Sequence, residues 1–467
     1  MAKKQETGVT EMEDIAQRGG SSSTGSLPAS KDTNVRRLLT KYDIPEKLGY
    51  AFPRWKKWAI LTIIFVIQCS MNLNAGIYGN AVKGLQQEYN ISAQKARVGQ
   101  MIFLVMYGIG CELWAPWSED KGRKIVLQTS LFFVNVFCLL PALASNYAYV
   151  VAGRFLGGLS SAGGSVTLGV VADMWDADNQ GFAVAYVVLS SVGGSVIGPL
   201  VGAPVQKYLG WRWVFWIQLI FGGFTQLLHL VFVPETNPEV IATKEAKRRR
   251  KAGEVGLYSK SEIEEGITLK YCLKTWWRPF HMFLFEPIVL CLSLLSGFSD
   301  ALIFTFIDSF HLVYGQWHFG TIAMGLSFIP LLISYIIAYL MYVPMQSRQR
   351  KKLRSASAGG PPVSPEYRLK LLLWLAPLEP IGLLLFAWTG GGPAQNHWIL
   401  PMIFSAFVGV ANYAIYMATI DYMIASYGTY SSSATGGNGF ARDVLAGIAT
   451  MYAVPRKSSV HTFSPKT

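Results

Sequence analysis

The sequence predicts an all-α polytopic membrane protein built as two helical bundles, six spans followed by five, and three observations carry that prediction. The 467 residues are 51% hydrophobic and only 15% charged, with a mean hydropathy of +0.30, too little polar surface to cover a soluble globule of this size. Eleven apolar spans of membrane-crossing length lie between Lys57 and Pro455. Lys and Arg collect in every second connection between those spans, as the positive-inside rule requires of a chain whose amino terminus is cytosolic.

In chain order, residues 1–55 are rich in Ser, Gly, Thr, Lys and Glu and carry no apolar core, so a solvated cytosolic tail is expected and a signal peptide is not. Its Ser21-Ser22-Ser23-Thr24 run reads either as a phosphorylation target or as plain linker. Spans follow at 57–79, 97–116, 124–144, 147–171, 182–205 and 211–233, forming a first bundle over 56–234. A basic segment, 235–282, then reads as a cytosolic central loop containing Lys247-Arg248-Arg249-Arg250-Lys251. The second bundle, 283–455, holds spans at 283–307, 319–343, 369–390, 398–423 and 431–454, and 456–467 is a polar tail. Uninterrupted apolar runs exclude the alternating pattern of a membrane barrel, so the spans are helices.

The basic stretches Glu119-Asp120-Lys121-Gly122-Arg123-Lys124, 235–282 and 348–354 share one side, and the connections 145–148, 309–318 and 391–397 on the other side contain no Lys or Arg. The 80–96 connection, with Lys83 and Lys95, departs from this pattern, yet it holds Asn90-Ile91-Ser92, a glycosylation acceptor that works only outside the cytosol. Positive charge placed beside spans is an orientation signal and a contact for anionic lipid, which excludes a nucleic-acid-binding surface despite the net charge of +13. The five cysteines form no CxxC pair, and no metal site or cofactor is expected.

Glycine-interrupted spans occupy the same ordinal place in each half: Gly193, Gly194, Gly198 and Gly202 in span 5, and Gly436, Gly437, Gly439 and Gly447 in span 11. Paired interrupted helices are what an internally duplicated transporter predicts. A partner for span 6 is missing, and the expectation is a truncated or mis-spliced reading frame, with a natural eleven-span chain as the alternative.

In span 5, Gly194-x-x-x-Gly198-Pro199-x-x-Gly202 permits close backbone approach while Pro199 removes a helical hydrogen bond. The helix is then either one that rocks or simply a tight packing seam. In the loop after span 2, Glu119 at a helix end, beside Gly122 and Lys124, can pair with Arg123 or with a neighbouring helix, as a gate or only an orientation signal; an exposed pair is worth only about 0.2–1 kcal/mol. Charges within spans are costly, about 2.5–3.5 kcal/mol each on insertion scales, unless they face a cavity or a partner. Arg154, Asp300, Glu379 and Glu112 are therefore candidates for proton coupling or substrate binding, with an ion pair inside the bundle as the other reading. Arg442-Asp443 in span 11 reads first as such a pair. Tyr186, Phe304, Tyr413 and Tyr416 are aromatics placed to line a cavity, whereas most Trp residues sit at span ends as an interfacial belt.

Taken together these motifs resemble the major facilitator superfamily, in particular its twelve-span fungal drug:proton antiporter branch. The residues that carry the resemblance are the loop just described, Arg154-Phe155-Leu156-Gly157-Gly158 in span 4, the span 5 pattern, Gly210-Trp211-Arg212-Trp213-Val214-Phe215-Trp216, Val233-Pro234-Glu235-Thr236, and Asn412-Tyr413-Ala414-Ile415-Tyr416-Met417-Ala418-Thr419-Ile420-Asp421-Tyr422. The resemblance spans about residues 55–455, with Ala115 and Glu119 where the superfamily loop has Gly and Asp. It implies a major facilitator fold lacking its last span, a part for Arg154 in proton coupling, and an antiporter role for the span 5 motif. The implied partners are protons, the lipid bilayer and a small organic substrate such as a drug, a polyamine or a secondary metabolite. It further implies a monomer in the plasma membrane, the vacuolar membrane being the alternative.

The expected activity is thus proton-coupled export. A potential of 100 mV supplies about 2.3 kcal/mol per charge and each pH unit about 1.4 kcal/mol. Proton-coupled uptake is the alternative, since no local feature encodes direction. A membrane-embedded enzyme is disfavoured: the six His residues are scattered, and neither HExxH nor GxSxG occurs.

Overall fold

The computed structural model describes residues 37–161, 163–254, 256–263, 269–359, 364–427 and 431–453. The Ser21–Thr24 run and the 456–467 tail lie outside them. The first half comprises α1 (Arg54–Gly76), α2 (Val82–Tyr89), α3 (Ala93–Lys121), α4 (Arg123–Ala142), α5 (Tyr147–Leu159), α6 (Gly163–Met174), α7 (Ala177–Tyr208) and α8 (Arg212–Phe232). A connecting segment holds α9 (Pro238–Lys251), β2 (Leu257–Ser259), α10 (Lys260–Ile263) and α11 (Leu269–Phe285). The second half is α12 (Pro287–Tyr314), α13 (Thr321–Leu326), α14 (Ile329–Ser357), α15 (Lys370–Leu375), α16 (Leu378–Thr389), α17 (Ile399–Tyr427) and α18 (Ser431–Tyr452).

Among the described residues, nine helical stretches are long and apolar enough to cross a membrane, and the protein is a multi-pass membrane protein. The two remaining expected spans differ for separate reasons. Span 4 is broken into α5 and α6 around Ser160 and Ser161, where small residues and glycines hold a helix weakly. The backbone carbonyls at the break are taken up by side chains: Trp114 Nε1 donates to Leu159 O at 3.1 Å, and Ser130 Oγ to Ser160 O at 2.7 Å. Span 11 is α18, which is long enough but carries Ser433, Thr435, Asn438, Arg442 and Asp443.

Helix pairing repeats between the halves. The first and fifth spans (α1 with α7) pack intimately, as do the seventh and eleventh (α12 with α18). The halves meet through the second span on the eleventh (α3 with α18) and, by the same relation, the fifth on the eighth (α7 with α13 and α14). This exchange of equivalent helices is a pseudo-two-fold axis, the mark of duplicated transporter halves. The loop at Gly122, α9 and the basic end of α14 lie at one end of the bundle, here the basic end. The connections near residues 90, 144, 210, 317 and 395 lie at the opposite end.

Three expectations are corrected here. Residues 37–55 are not a featureless tail: β1 (Arg37–Leu39) pairs in parallel with β2, and Leu39, Ile44 and Leu48 bury against Ala242, Ala246 and Leu257. A few well-spaced apolar residues suffice once α9 offers them a surface. The described residues of 235–282 are likewise folded, with Glu245 of α9 holding Lys47 at 2.6 Å, Arg248 at 2.9 Å and Arg249 at 3.0 Å. Finally, 348–354 is not loop but the last turns of α14, because Arg, Lys, Gln and Leu are good helix formers and nothing breaks the run.

Candidate functional site

Asp300 on α12 and Arg442 and Asp443 on α18 converge where the halves meet. Gly297 brings α12 and α18 together, since a Cβ there would stand 3.0 Å from Ala441 O; Gly108 brings α3 within reach of Phe440 and Asp443. Arg442 Nε lies 3.9 Å from Asp300 Oδ2, Arg442 Nη2 lies 3.2 Å from Asp443 Oδ1, and the guanidinium sits 4.2 Å above the Tyr416 ring. Arg442 and Asp443 are buried and Asp300 is partly buried. Asn72, Ser191 and Ser195 of the first half complete a central void of about 10 Å³ around them.

One guanidinium faces two carboxylates. At 3.9 Å and 3.2 Å the two attractions are about 4 and about 5 kcal/mol for an effective dielectric near 20, while each buried ion forfeits several kcal/mol of hydration. A trio with net charge −1 becomes neutral by taking up one proton, so the cluster has the chemistry to bind and release a proton, or to accept a cationic group in its place.

Glu112 on α3 is buried and, with Arg442 and Asp443, lines a second cavity of about 110 Å³ that leads from the cluster to the basic end and also meets Glu119 and Arg123. The Glu112 carboxylate occupies the space a side chain at Gly436 would need. A third cavity, about 570 Å³, opens at the opposite end and is lined by both halves.

Arg154 on α5 lies apart from the cluster. Its Nη1 donates to Asn74 Oδ1 at 2.7 Å and Asn74 O at 3.0 Å, its Nε to Gly99 O at 3.2 Å, and its guanidinium stacks 3.8 Å from the Phe103 ring centre. Its buried Nη2 has no hydrogen-bond partner among the described residues. Glu379 on α16 is also separate: its carboxylate accepts from Ser299 Oγ at 2.5 Å, and Asn412 Nδ2 donates to the same hydroxyl at 3.0 Å. Ser299 and Asp300 are neighbours on α12 that point different ways, so the two acids do not meet.

At the junction of α3 and α4, Arg123 takes an acid other than Glu119 as its ion-pair partner. Arg123 Nε binds Asp173 Oδ2 of α6 at 3.2 Å, and Arg123 Nη1 donates to Ser118 Oγ at 2.6 Å. Glu119 contributes its backbone carbonyl, which accepts from Asn237 Nδ2 at 2.7 Å. Gly122 has φ +105°, and Glu235 caps the first turn of α4 by accepting from Arg123 N at 2.9 Å and Lys124 N at 3.2 Å. Lys124 Nζ donates to Leu230 O at 3.0 Å.

The glycine face of α7 packs on α1: a Cβ on Gly194 would stand 2.9 Å from Cys69 O, one on Gly198 would meet the Gly76–Ile77 peptide at 2.5 Å, and Gly202 faces Asn80. Pro199 turns its carbonyl toward Gly325 of α13 in the other half. The motif thus fixes α7 to α1 on one side and presents it to the partner half on the other. Tyr186 and Tyr413 bridge the halves too, at 6.4 Å from the Tyr339 ring and by a hydrogen bond of 2.9 Å to Ala185 O. Asn90 is the exposed left-handed residue that ends α2, φ 50°.

Among the ion pairs that sequence reasoning missed, three join helices of the bundle or its ends. Asp173 with Arg123 lies at a helix end that reads as loop. Arg368 pairs with Asp421 within the second half. Arg97 pairs with Asp308 across the halves at 3.8 Å. The last pair was hidden because hydropathy sets span limits at the first charge, whereas α12 continues through Asp308 to Tyr314.

A two-halved helical bundle with a buried ionisable cluster and cavities at the junction defines a membrane transporter. The family model of the Major Facilitator Superfamily matches residues 64–450, and the chain belongs to that superfamily. It is similar to the MFS-type transporter acdC of Aspergillus candidus, 28% identical over 91% of this chain and 83% of that one. It is also similar to the MFS-type transporter oryN of Aspergillus oryzae, 30% identical over 79% of this chain and 72% of that one. A third relative is the multidrug transporter FLR2 of Candida glabrata, 28% identical over 92% of this chain and 73% of that one.

Proposed function

We propose that this protein is a proton-coupled antiporter that exports small organic compounds, with its basic end and amino terminus in the cytosol. The observation that carries the reading is the Asp300–Arg442–Asp443 trio, in which two acids share one cation between halves that enclose cavities toward both ends. Protonating one acid changes how strongly Arg442 ties α12 to α18 within the second half, and so biases how α18 packs on α3 of the first half. Glu112 extends the acidic path toward the basic end, while Arg154 holds α1, α3 and α5 together around its own bonds. The names of the relatives, one of them a multidrug transporter, favour organic cargo. The plasma membrane, a monomeric state and a glycan on Asn90 belong to the same reading.

The test is exchange in proteoliposomes carrying an imposed pH step. A candidate compound must accumulate against its gradient on the side from which protons leave, and the extracted compound must be chemically unchanged. Accumulation on the side where protons arrive would establish uptake by symport instead.

A further inference from the structure

We propose that Arg97 and Asp308 form the latch that closes the transporter at the end opposite its basic loops. Arg97 stands near the start of α3 in the first half and Asp308 in the last turns of α12 in the second, with Nε and Oδ1 3.8 Å apart and both side chains less than a tenth exposed. By contrast, the pairs Arg123–Asp173 and Arg212–Glu88 stay within the first half, and Arg368–Asp421 and Arg442–Asp300 within the second.

Two further observations place the latch at a moving seam. Both residues line the cavity of about 570 Å³ whose walls come from both halves, and Pro199 of α7 and Gly325 of α13, which meet there, close the same mouth by bare backbone packing. The pair itself is incompletely bonded: Arg97 Nε and Asp308 Oδ2 have no hydrogen-bond partner among the described residues. A buried ion pair bound by many auxiliary hydrogen bonds would resist separation, whereas a single long contact holds the closed state and still releases it as water enters. Lys83 and His311 face the same cavity, so the seam carries an excess of basic groups around one carboxylate.

The latch rests on the alternating movement of the halves proposed above, and its test needs neither substrate nor gradient. Ser195, buried at the central void beyond the seam, is replaced by Cys as a reporter and labelled with a membrane-impermeant maleimide added to intact cells. Asp308→Asn is expected to raise the labelling rate at least about five-fold, and the reciprocal pair Arg97→Asp with Asp308→Arg to return it to within about two-fold of the parent. The neutral double variant Arg97→Gln with Asp308→Asn strands no buried charge and serves where the single variant fails to insert; it too must label faster. Labelling of the double variant at the parent rate overturns the latch. Transport is read in the same latch variants with Ser195 native: if labelling is unchanged while transport persists, the latch alone is wrong; if labelling rises and the chain with native Ser195 moves no compound, the latch stands and the transport reading falls.

Discussion

Arg442 lies between Asp300 and Asp443, 3.9 Å from the first and 3.2 Å from the second, and so ties its own helix α18 to α12 while leaving one carboxylate in excess. Asp300→Asn removes that excess without removing the tie between Arg442 and Asp443. It is expected to lower pH-driven accumulation by about ten-fold or more while counterflow at equal pH continues. Proteoliposome flux with and without a pH step measures both.

Glu379→Gln keeps an acceptor for Ser299 Oγ, so its melting temperature in detergent should correspond to a change of at most about 1 kcal/mol. Because Glu379 does not reach the central void, transport by this variant is expected to match the parent. A loss comparable to that of Asp300→Asn would give Glu379 a share in proton coupling.

Glu235→Gln weakens the cap on α4 and the support of the Gly122 turn. The expected cost is about 0.5–2 kcal/mol, read as a lower melting temperature, and Asp173→Asn should cost a similar amount by leaving Arg123 to Ser118 alone.

Glu245 gathers Arg248, Lys47 and Arg249, whose hydrogen bonds draw its carboxyl from the ordinary 4.5 down to about 2. A depressed folded-state pKa means the stabilisation is complete above about pH 4.5 and is lost as pH falls through about 2. At neutral pH, Glu245→Gln should therefore release the 37–52 segment and speed tryptic cleavage after Lys47 several-fold in the purified protein. Cleavage at the parent rate would show that the apolar contacts of Leu39, Ile44 and Leu48 suffice alone.

Asn90→Gln should abolish an endoglycosidase-sensitive shift on gels if the end opposite the basic loops faces the secretory lumen. Absence of any shift in the parent would remove the glycan assignment and leave orientation to be read from reporter fusions.

Much of this molecule was legible before any coordinates. Apolar length gave nine of the eleven spans among the described residues, and the repeated glycines of spans 5 and 11 marked helices of close approach without naming their partners: Gly194 and Gly198 of α7 face α1, whereas Gly436 and Gly447 of α18 face α3. What misled was the treatment of charge as punctuation. Asp308 was read as the end of a span, and Arg348 to Arg354 as the start of a loop, although in both places the helix continues. For Arg123 the nearest acid in sequence, Glu119, was one partner on offer, while Asp173, fifty residues on, is the partner the fold supplies.

The sequence by itself determined that the chain is a helical membrane protein of two related halves, because burial in hydrocarbon constrains composition over every run of about twenty residues. Only the tertiary structure decided which charges meet: Arg442 with Asp300, Arg123 with Asp173, Arg97 with Asp308. Pairing of that kind depends on distances of a few ångströms between helices remote in the chain, and Coulomb attraction in a dry interior acts on distance, not on order along the sequence.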